Sequence, residues 1–268
     1  MDQSHSSGIP NFPHLVYVQH FDPGKYPVES AVAVRELEKR GLPYIAKTTE
    51  DLRDDPLSLT RNDLVIGDTD WTRRSMKSLR MQMPEAPDYP KCLEHLLHRK
   101  IEITTLGKVQ QQLEEDPSKE IFIKPAKDTK AFNGLVEPKD QMLWYVLEEF
   151  GPSYPVVASE IVNFVTEYRV YCIKGEIVGV SYYCGLKEHT LDLDIVKGAA
   201  KVHFEHEKLN GYVLDFGVVL KKDAEGNEVT QTTLIEVNDG YSIGYYEGVT
   251  EEKYVDMLIA RWAQLVRQ

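Results

Sequence analysis

Two oxygen donors stand two residues apart in the stretch TTLIEVNDG (232–240): Glu236 and Asn238, separated by Val237. The run before them is apolar and branched, as in a strand. Strand side chains alternate, so Glu236 and Asn238 share one face while Val237 takes the other. Upstream, GYVLDFG (211–217) carries Asp215 as its one charged residue. Tyr212, Leu214 and Phe216 fall on one face of that run, and Val213, Asp215 and Gly217 on the other. A hairpin turning through KDAEGNE (222–228) brings Asp215 beside Glu236. Carboxylate and amide oxygens are hard donors that suit Mg²⁺. Three of them on adjacent strands make a seat for one or two Mg²⁺ bridging nucleotide phosphates. The competing reading is three solvated side chains on a half-exposed sheet.

Two further stretches carry chemistry. In IFIKPAKDTKAFNG (121–134), Lys124 closes a strand and Pro125 stops its pairing. Lys127, Lys130 and Gly134 follow in a polar loop. Cations and exposed backbone N–H groups on such a loop can close over phosphates; ordinary surface lysines are the alternative. In SEIVNFVTEYRVYC (159–172), Glu160 ends a strand at a connection between lobes, and Glu167, Arg169 and Tyr171 alternate along the next strand. A carboxylate with backbone groups at a hinge can hold a purine amine, and a second can accept two ribose hydroxyls. A guanidinium on the same face can grip a carboxylate or phosphate through two bonds. Cross-strand ion pairing explains the same pattern without a ligand.

The elements that position these groups are legible in outline. HLVYVQH (14–20), LPYIAKT (42–48) and DLVIGD (63–68) read as strands around a helix at 29–41 that Gly41 stops. That order makes a small parallel α/β unit. Residues 89–100 read as a helix, 101–105 as a strand, 106–116 as a helix, 120–126 and 135–137 as strands, and 140–151 as a helix. After a strand at 154–162, EYRVYCI and EIVGVSYYC flank a Lys-Gly hairpin turn. A helix within 190–209, the second hairpin and an amphipathic helix at 250–267 complete the chain. Thr250 caps that last helix, with acids in its first turn.

Composition narrows the class. The 268 residues are 42 % apolar and 28 % charged, with a net charge of −12. That acidity argues against a nucleic-acid surface, which needs a basic patch. No apolar run is long enough to cross a membrane. Cys92, Cys172 and Cys184 show no disulfide or metal spacing, which fits a reducing cytoplasm.

The order of the chemical groups resembles the ATP-grasp superfamily. KPAKDTKAFNG looks like its phosphate-covering segment, although it lacks the usual run of glycines. Glu160 and Glu167 match the pair that holds adenine and ribose in D-alanine–D-alanine ligases. GYVLDFG followed by LIEVND looks like its pair of metal-ligand strands. The resemblance covers roughly residues 90–245. It implies an α/β plus α+β chain with an ATP-grasp fold behind a small N-terminal open-sheet domain. The expected divisions are a flexible tail at 1–13, an N-terminal domain at 14–100, a small lobe with the phosphate-covering loop at 101–158, and a large lobe with the metal site at 159–268.

The implied activity is ATP- and Mg²⁺-dependent joining of a small-molecule or peptide carboxylate to an amine through an acyl phosphate, in a cytoplasmic monomer or homodimer. Alternatives are phosphoryl transfer to another acceptor and a non-catalytic nucleotide-binding module. Asp215, Glu236 and Asn238 would hold metal. Arg99, Lys124, Lys127, Lys130, Glu160 and Glu167 would bind the nucleotide. Arg169 would meet the acceptor carboxylate or an oxyanion. Lys100 and Lys91 are alternatives to Arg99 as the early cation. Lys187 is the expected further phosphate ligand, with Lys197 as its alternative.

Three motifs stand apart. HLLH (95–98) and HFEH (203–206) space histidines by three, as half a zinc site would, or as solvated helix faces. WTRRSMKSLR (71–80) is a basic helix. YSIGYYEG (241–248) suits a pocket wall or a tight turn.

Overall fold

A computed structural model describes residues 12–54, 58–127 and 131–268. The chain divides into two compact units. One joins the residues up to Glu94 to Val165–Gln268; the other is His95–Phe164.

The N-terminal part of the first unit alternates strands and helices: β1 (Val16–Gln19), α1 (Val28–Arg40), β2 (Tyr44–Lys47), α2 (Thr49–Asp54), β3 (Leu64–Ile66) and α3 (Thr69–Ser78). The strands pair in parallel in the order β2-β1-β3. α1 ends where expected. Gly41 takes the left-handed conformation at φ +65° and its N–H reaches the carbonyls of Leu37 and Glu38. The basic stretch at 71–80 is α3, capped by Asp68 and burying Trp71, Thr72, Ser75 and Met76. The helix expected at 89–100 is instead a short 3-10 turn over Lys91–Leu96. Pro90 precedes it and His98 stands at φ +48°, which no helix continues through.

The second unit contains β4 (Ile101–Thr105), α4 (Leu106–Glu115), β5 (Ile121–Pro125), β6 (Leu135–Glu137), α5 (Leu143–Phe150) and β7 (Pro155–Ser159). Its antiparallel sheet runs β4-β7-β5-β6. Leu106, Val109, Ile121, Ile123, Val146, Val156 and Ala158 form its core. Phe122 and Lys124 alternate with the buried residues of β5 and so project from its other face. Phe132 anchors the end of the phosphate-loop candidate to that core, with ring contacts to Phe150 and Tyr154. The strand expected to reach 162 stops at Ser159.

The remainder returns to the first unit as β8 (Thr166–Ile173), β9 (Glu176–Gly185), α6 (Leu193–Glu207), β10 (Gly211–Lys222), β11 (Glu228–Asp239) and α7 (Glu251–Leu265). Lys174 and Gly175 take positive φ to turn the first hairpin. The antiparallel order is β11-β10-β8-β9. α6 covers one face: the Tyr212 hydroxyl donates to the carbonyl of Ala200 at 2.6 Å. α7 covers part of the other. Thr250 caps it by accepting from the Lys253 N–H. It buries Tyr254, Met257 and Leu258 in a cluster shared with β1, β3 and α1. The Trp262 indole donates to the carbonyl of Asp63 at 2.7 Å. This helix fuses the two ends of the chain around one core. Among the described residues no helix is long and apolar enough to cross a membrane.

The histidine motifs form no metal site: among the described residues no group of three or more His, Cys, Asp or Glu is placed to hold an ion. His203 is fully buried on α6 against the Tyr212 ring, and neither ring nitrogen finds a partner. Burial lowers its pKa to about 4. The unfolded chain therefore takes up this proton first as pH falls, and stability is lost between the unfolded value near 6.5 and 4. The shift corresponds to about 3 kcal/mol. Urea titrations should show the His203→Leu variant losing less stability than the wild-type chain between pH 7 and pH 4. Equal losses would mean that His203 does not set the acid limb.

Candidate active site

The strand register assembles the site. Asp215 lies opposite Arg169 of β8 and opposite Glu236 of β11. Glu167 faces Gly217, and Asn238 faces Val213. On β11 the register jumps from Leu234 to Glu236, leaving Ile235 as a bulge. The extra residue lets Leu234 and Val237 both reach the core while Glu236 and Asn238 keep the opposite face. Simple alternation already placed Glu236 with Asn238; the bulge was not legible.

The side chains then close on one another. Arg169 grips Asp215 with two parallel bonds, Nε to Oδ1 at 2.9 Å and Nη2 to Oδ2 at 2.8 Å. Both side chains are nearly buried, at 13 % and 14 % exposure. The Asn238 amide nitrogen donates to Asp215 Oδ2 at 2.9 Å and to Glu236 Oε1 at 3.1 Å. Burial raises the Glu167 pKa, and the charges of Asp215 and Glu236 raise it further. Burial also pushes Asp215 up, opposed by Arg169 and Asn238. Burial works against the Arg169 charge, but the bonds to Asp215 outweigh it and raise its pKa. Two carboxylates and an amide thus meet at one point, while Glu167 stands too far off to complete a group of three acidic ligands with them. Carboxylate and amide oxygens are of the type a hard divalent cation such as Mg²⁺ takes.

Residues not singled out as ligands shape the surroundings. The Arg169 guanidinium lies 5.2 Å from the Tyr246 ring centroid and 5.8 Å from that of Tyr183. The segment 241–248 is an irregular stretch that passes beside Arg169, and hydroxyls hold it down. Tyr171 donates to the carbonyl of Gly244, Ser181 to that of Tyr246, and Tyr254 to that of Ile243. Tyr246 belongs to the tyrosine- and glycine-rich motif at 241–248; Tyr183 carries no sequence signal beyond its place in a strand. Behind Asn238, the side chain of Asp239 pairs with the buried Arg261 of α7.

In the second unit, β4 and β7 bring Arg99, Lys100 and Glu160 together. The Arg99 Nε donates to Ser159 Oγ at 3.2 Å. The Lys100 backbone N–H donates to Glu160 Oε2 at 2.8 Å, while Lys100 Nζ pairs with Glu102. Lys124 is the penultimate residue of β5, opposite Val157; Pro125 does not stop the pairing as expected but stands opposite Val156 and ends the strand, and Lys127 is exposed just beyond it. Lys130 lies outside the described residues. Lys91 is exposed on the 3-10 turn of the other unit. Neither candidate for the further lysine is brought to Asp215. Lys187 packs over the ring of Tyr182, and Lys197 pairs with Asp194 on α6, across the sheet.

A family model for an ATP-grasp domain, the second family of its clade, matches residues 96–257. The chain belongs to this ATP-grasp family. Solved structures of the same fold include an ATP-grasp RimK domain protein from Sphaerobacter thermophilus, at 12 % identity and TM-score 0.54 over 95 % of this chain and 100 % of that one. A D-alanine–D-alanine ligase from Bacillus anthracis aligns at 12 % identity and TM-score 0.53, covering 96 % and 99 %. An N5-carboxyaminoimidazole synthetase from Staphylococcus aureus aligns at 7 % and 0.52, covering 93 % and 78 %. At such identities the likeness is one of fold. No curated protein sequence matches the chain. The ATP-grasp match spans the Lys124 strand and the Arg169–Asp215–Glu236–Asn238 cluster.

Crowding of three carboxylates on one sheet face has a measurable consequence. Glu236→Gln keeps an acceptor for Asn238 and removes one charge. Scanning fluorimetry of this variant without ligands should give an unfolding temperature equal to or above that of the wild-type chain. A clear drop would make Glu236 a structural residue.

Proposed function

We propose that this ATP-grasp protein is an ADP-forming ligase that joins a carboxylate to an amine through an acyl phosphate. The observation that carries this reading is the convergence of Asp215, Glu236 and Asn238 beside Arg169 on one sheet face. These three side chains would hold Mg²⁺, which when bound neutralises charge on the nucleotide phosphates. Lys124, with Lys127 and Lys130 on the following loop, would position those phosphates, since phosphoryl transfer rests mostly on placement and charge. Glu160 would hold the adenine amine and Glu167 the ribose hydroxyls, while Arg99, with Lys100 the alternative, would be a further cation for the phosphates. Arg169 would receive the acceptor carboxylate or stabilise the tetrahedral oxyanion, and Lys187 would add a phosphate contact on rearrangement. The fold shared with a ligase named for joining two D-alanines supports an amino acid or peptide as substrate.

The first assay is thermal stabilisation by ATP in the presence of Mg²⁺, which needs no acceptor. Wild-type chain should be stabilised by the pair and not by ATP with chelator; no stabilisation at saturation would remove the nucleotide reading. By calorimetry, Glu167→Gln should weaken ATP binding on the order of 1–2 kcal/mol, the worth of one charge-assisted hydrogen bond. Unchanged affinity would take Glu167 out of the ribose site. Screening acids and amines for ADP release, with product mass, separates ligation from simple phosphorylation.

A further inference from the structure

The oxygen donors of the site lie at one end of a long hairpin, and a bulge separates that end from the rest. From Lys222 to Phe216, β10 pairs with β11 without a break; Ile235 then interrupts the ladder. Beyond it the pairs run only from Asp215 with Glu236 to Tyr212 with Asp239. A slip of one residue over so short a stretch carries Glu236 and Asn238 to the opposite face. The long ladder cannot prevent this by itself, because a bulge uncouples the register on its two sides.

We propose that Arg261 and Asp239 are positioning residues for the site: through them α7 clamps the ends of β10 and β11 and so sets the affinity of Asp215, Glu236 and Asn238 for a divalent cation. The inference rests on the reading of those three as metal ligands. Arg261 Nε donates to Asp239 Oδ1 at 2.7 Å and Nη2 donates to Oδ2, a fork whose side chains are 3 % and 8 % exposed. The remaining nitrogen, Nη1, donates to Gln264 Oε1 at 2.8 Å. That oxygen also accepts from the Asn210 N–H at 2.8 Å, and Gln264 Nε2 donates to the carbonyl of Lys208 at 2.7 Å. One guanidinium thus ties the residue after Asn238 to the turn that enters the strand of Asp215. Glycines let the three elements approach. A Cβ on Gly211 would stand 2.6 Å from the Met257 carbonyl oxygen and 2.9 Å from Arg261 Cβ, and one on Gly240 would stand 2.6 Å from the carbonyl of Gly211. Asp239 Oδ1 also accepts from the Tyr241 N–H at 3.3 Å, so the same fork starts the segment that passes beside Arg169. A buried ion pair is a weak source of stability, since desolvation offsets its attraction and apolar side chains fill a core as well. What the fork supplies and apolar contact does not is a fixed direction and distance for the strand end.

The test measures metal binding and needs no turnover. Mn²⁺ is titrated into folded chain in the presence of a non-hydrolysable ATP analogue, with free Mn²⁺ read by electron paramagnetic resonance. The double variant Asp239→Asn/Arg261→Met removes both charges at once, so it strands none in the core and leaves the net charge unchanged. Its asparagine oxygen can still accept from Tyr241. It should bind Mn²⁺ about tenfold more weakly than wild-type chain, the usual effect of losing a support behind metal ligands. Arg261→Lys keeps the charge but loses the fork, and should fall between. A pair that serves only the core predicts the wild-type affinity in the folded double variant, and that result overturns the proposal. If the double variant does not fold, Gln264→Met decides, because it breaks the arm to the turn and strands no charge: weaker Mn²⁺ binding supports the clamp and equal binding overturns it. Wild-type chain that binds no Mn²⁺ at all overturns the metal-ligand reading and this inference with it, whereas equal binding by wild-type chain and variants overturns the clamp alone.

Discussion

A guanidinium and a carboxylate, held in register across the two central strands of a sheet, organise the functional face of this protein. Arg169 and Asp215 are direct partners in the β8–β10 pairing, and their two-point bond cancels charge that burial would otherwise make costly. Glu236, Asn238 and Glu167 arrange themselves around that pair. Without the guanidinium, three carboxylates on neighbouring strands would repel in a place with little water to screen them.

The rest of the first unit is built to keep that register. α6 seals one face of the sheet through Tyr212 and the buried His203. α7 lies against the other and ties β8 and β10 to β1, β3 and α1. The buried pair of Asp239 and Arg261 attaches α7 one residue beyond Asn238. Gly179 has a related duty, because a Cβ there would stand 2.5 Å from the Val249 side chain and push away the chain that leads into α7. Placement of the ligands is thus the product of a whole core.

Much of the architecture was legible. The parallel pairing of the first strands, both antiparallel hairpins and the capped C-terminal helix follow from periodicity, turn residues and caps, all local signals. The turn at 91–96 was not, because an apolar spacing that suits a helix also suits a single 3-10 turn. Among the candidate ligands, the shared face of Glu236 and Asn238 followed from a period of two. The ring pair about Arg169 did not, since Tyr183 and Tyr246 are 63 residues apart and meet only through the fold.

The sequence by itself determined which groups can do chemistry and which face of each strand they occupy. Alternation and hairpin turns act over a few residues, so Asp215, Glu236 and Asn238 could be aligned before any tertiary contact was known. Only the tertiary structure decided which of those groups meet one another. Whether Arg169 meets Asp215 or a phosphate depends on register across β8 and β10, 46 residues apart. Whether Asn238 reaches both Asp215 and Glu236 depends on register across β10 and β11. Those choices are settled by distance and burial, which no local pattern encodes.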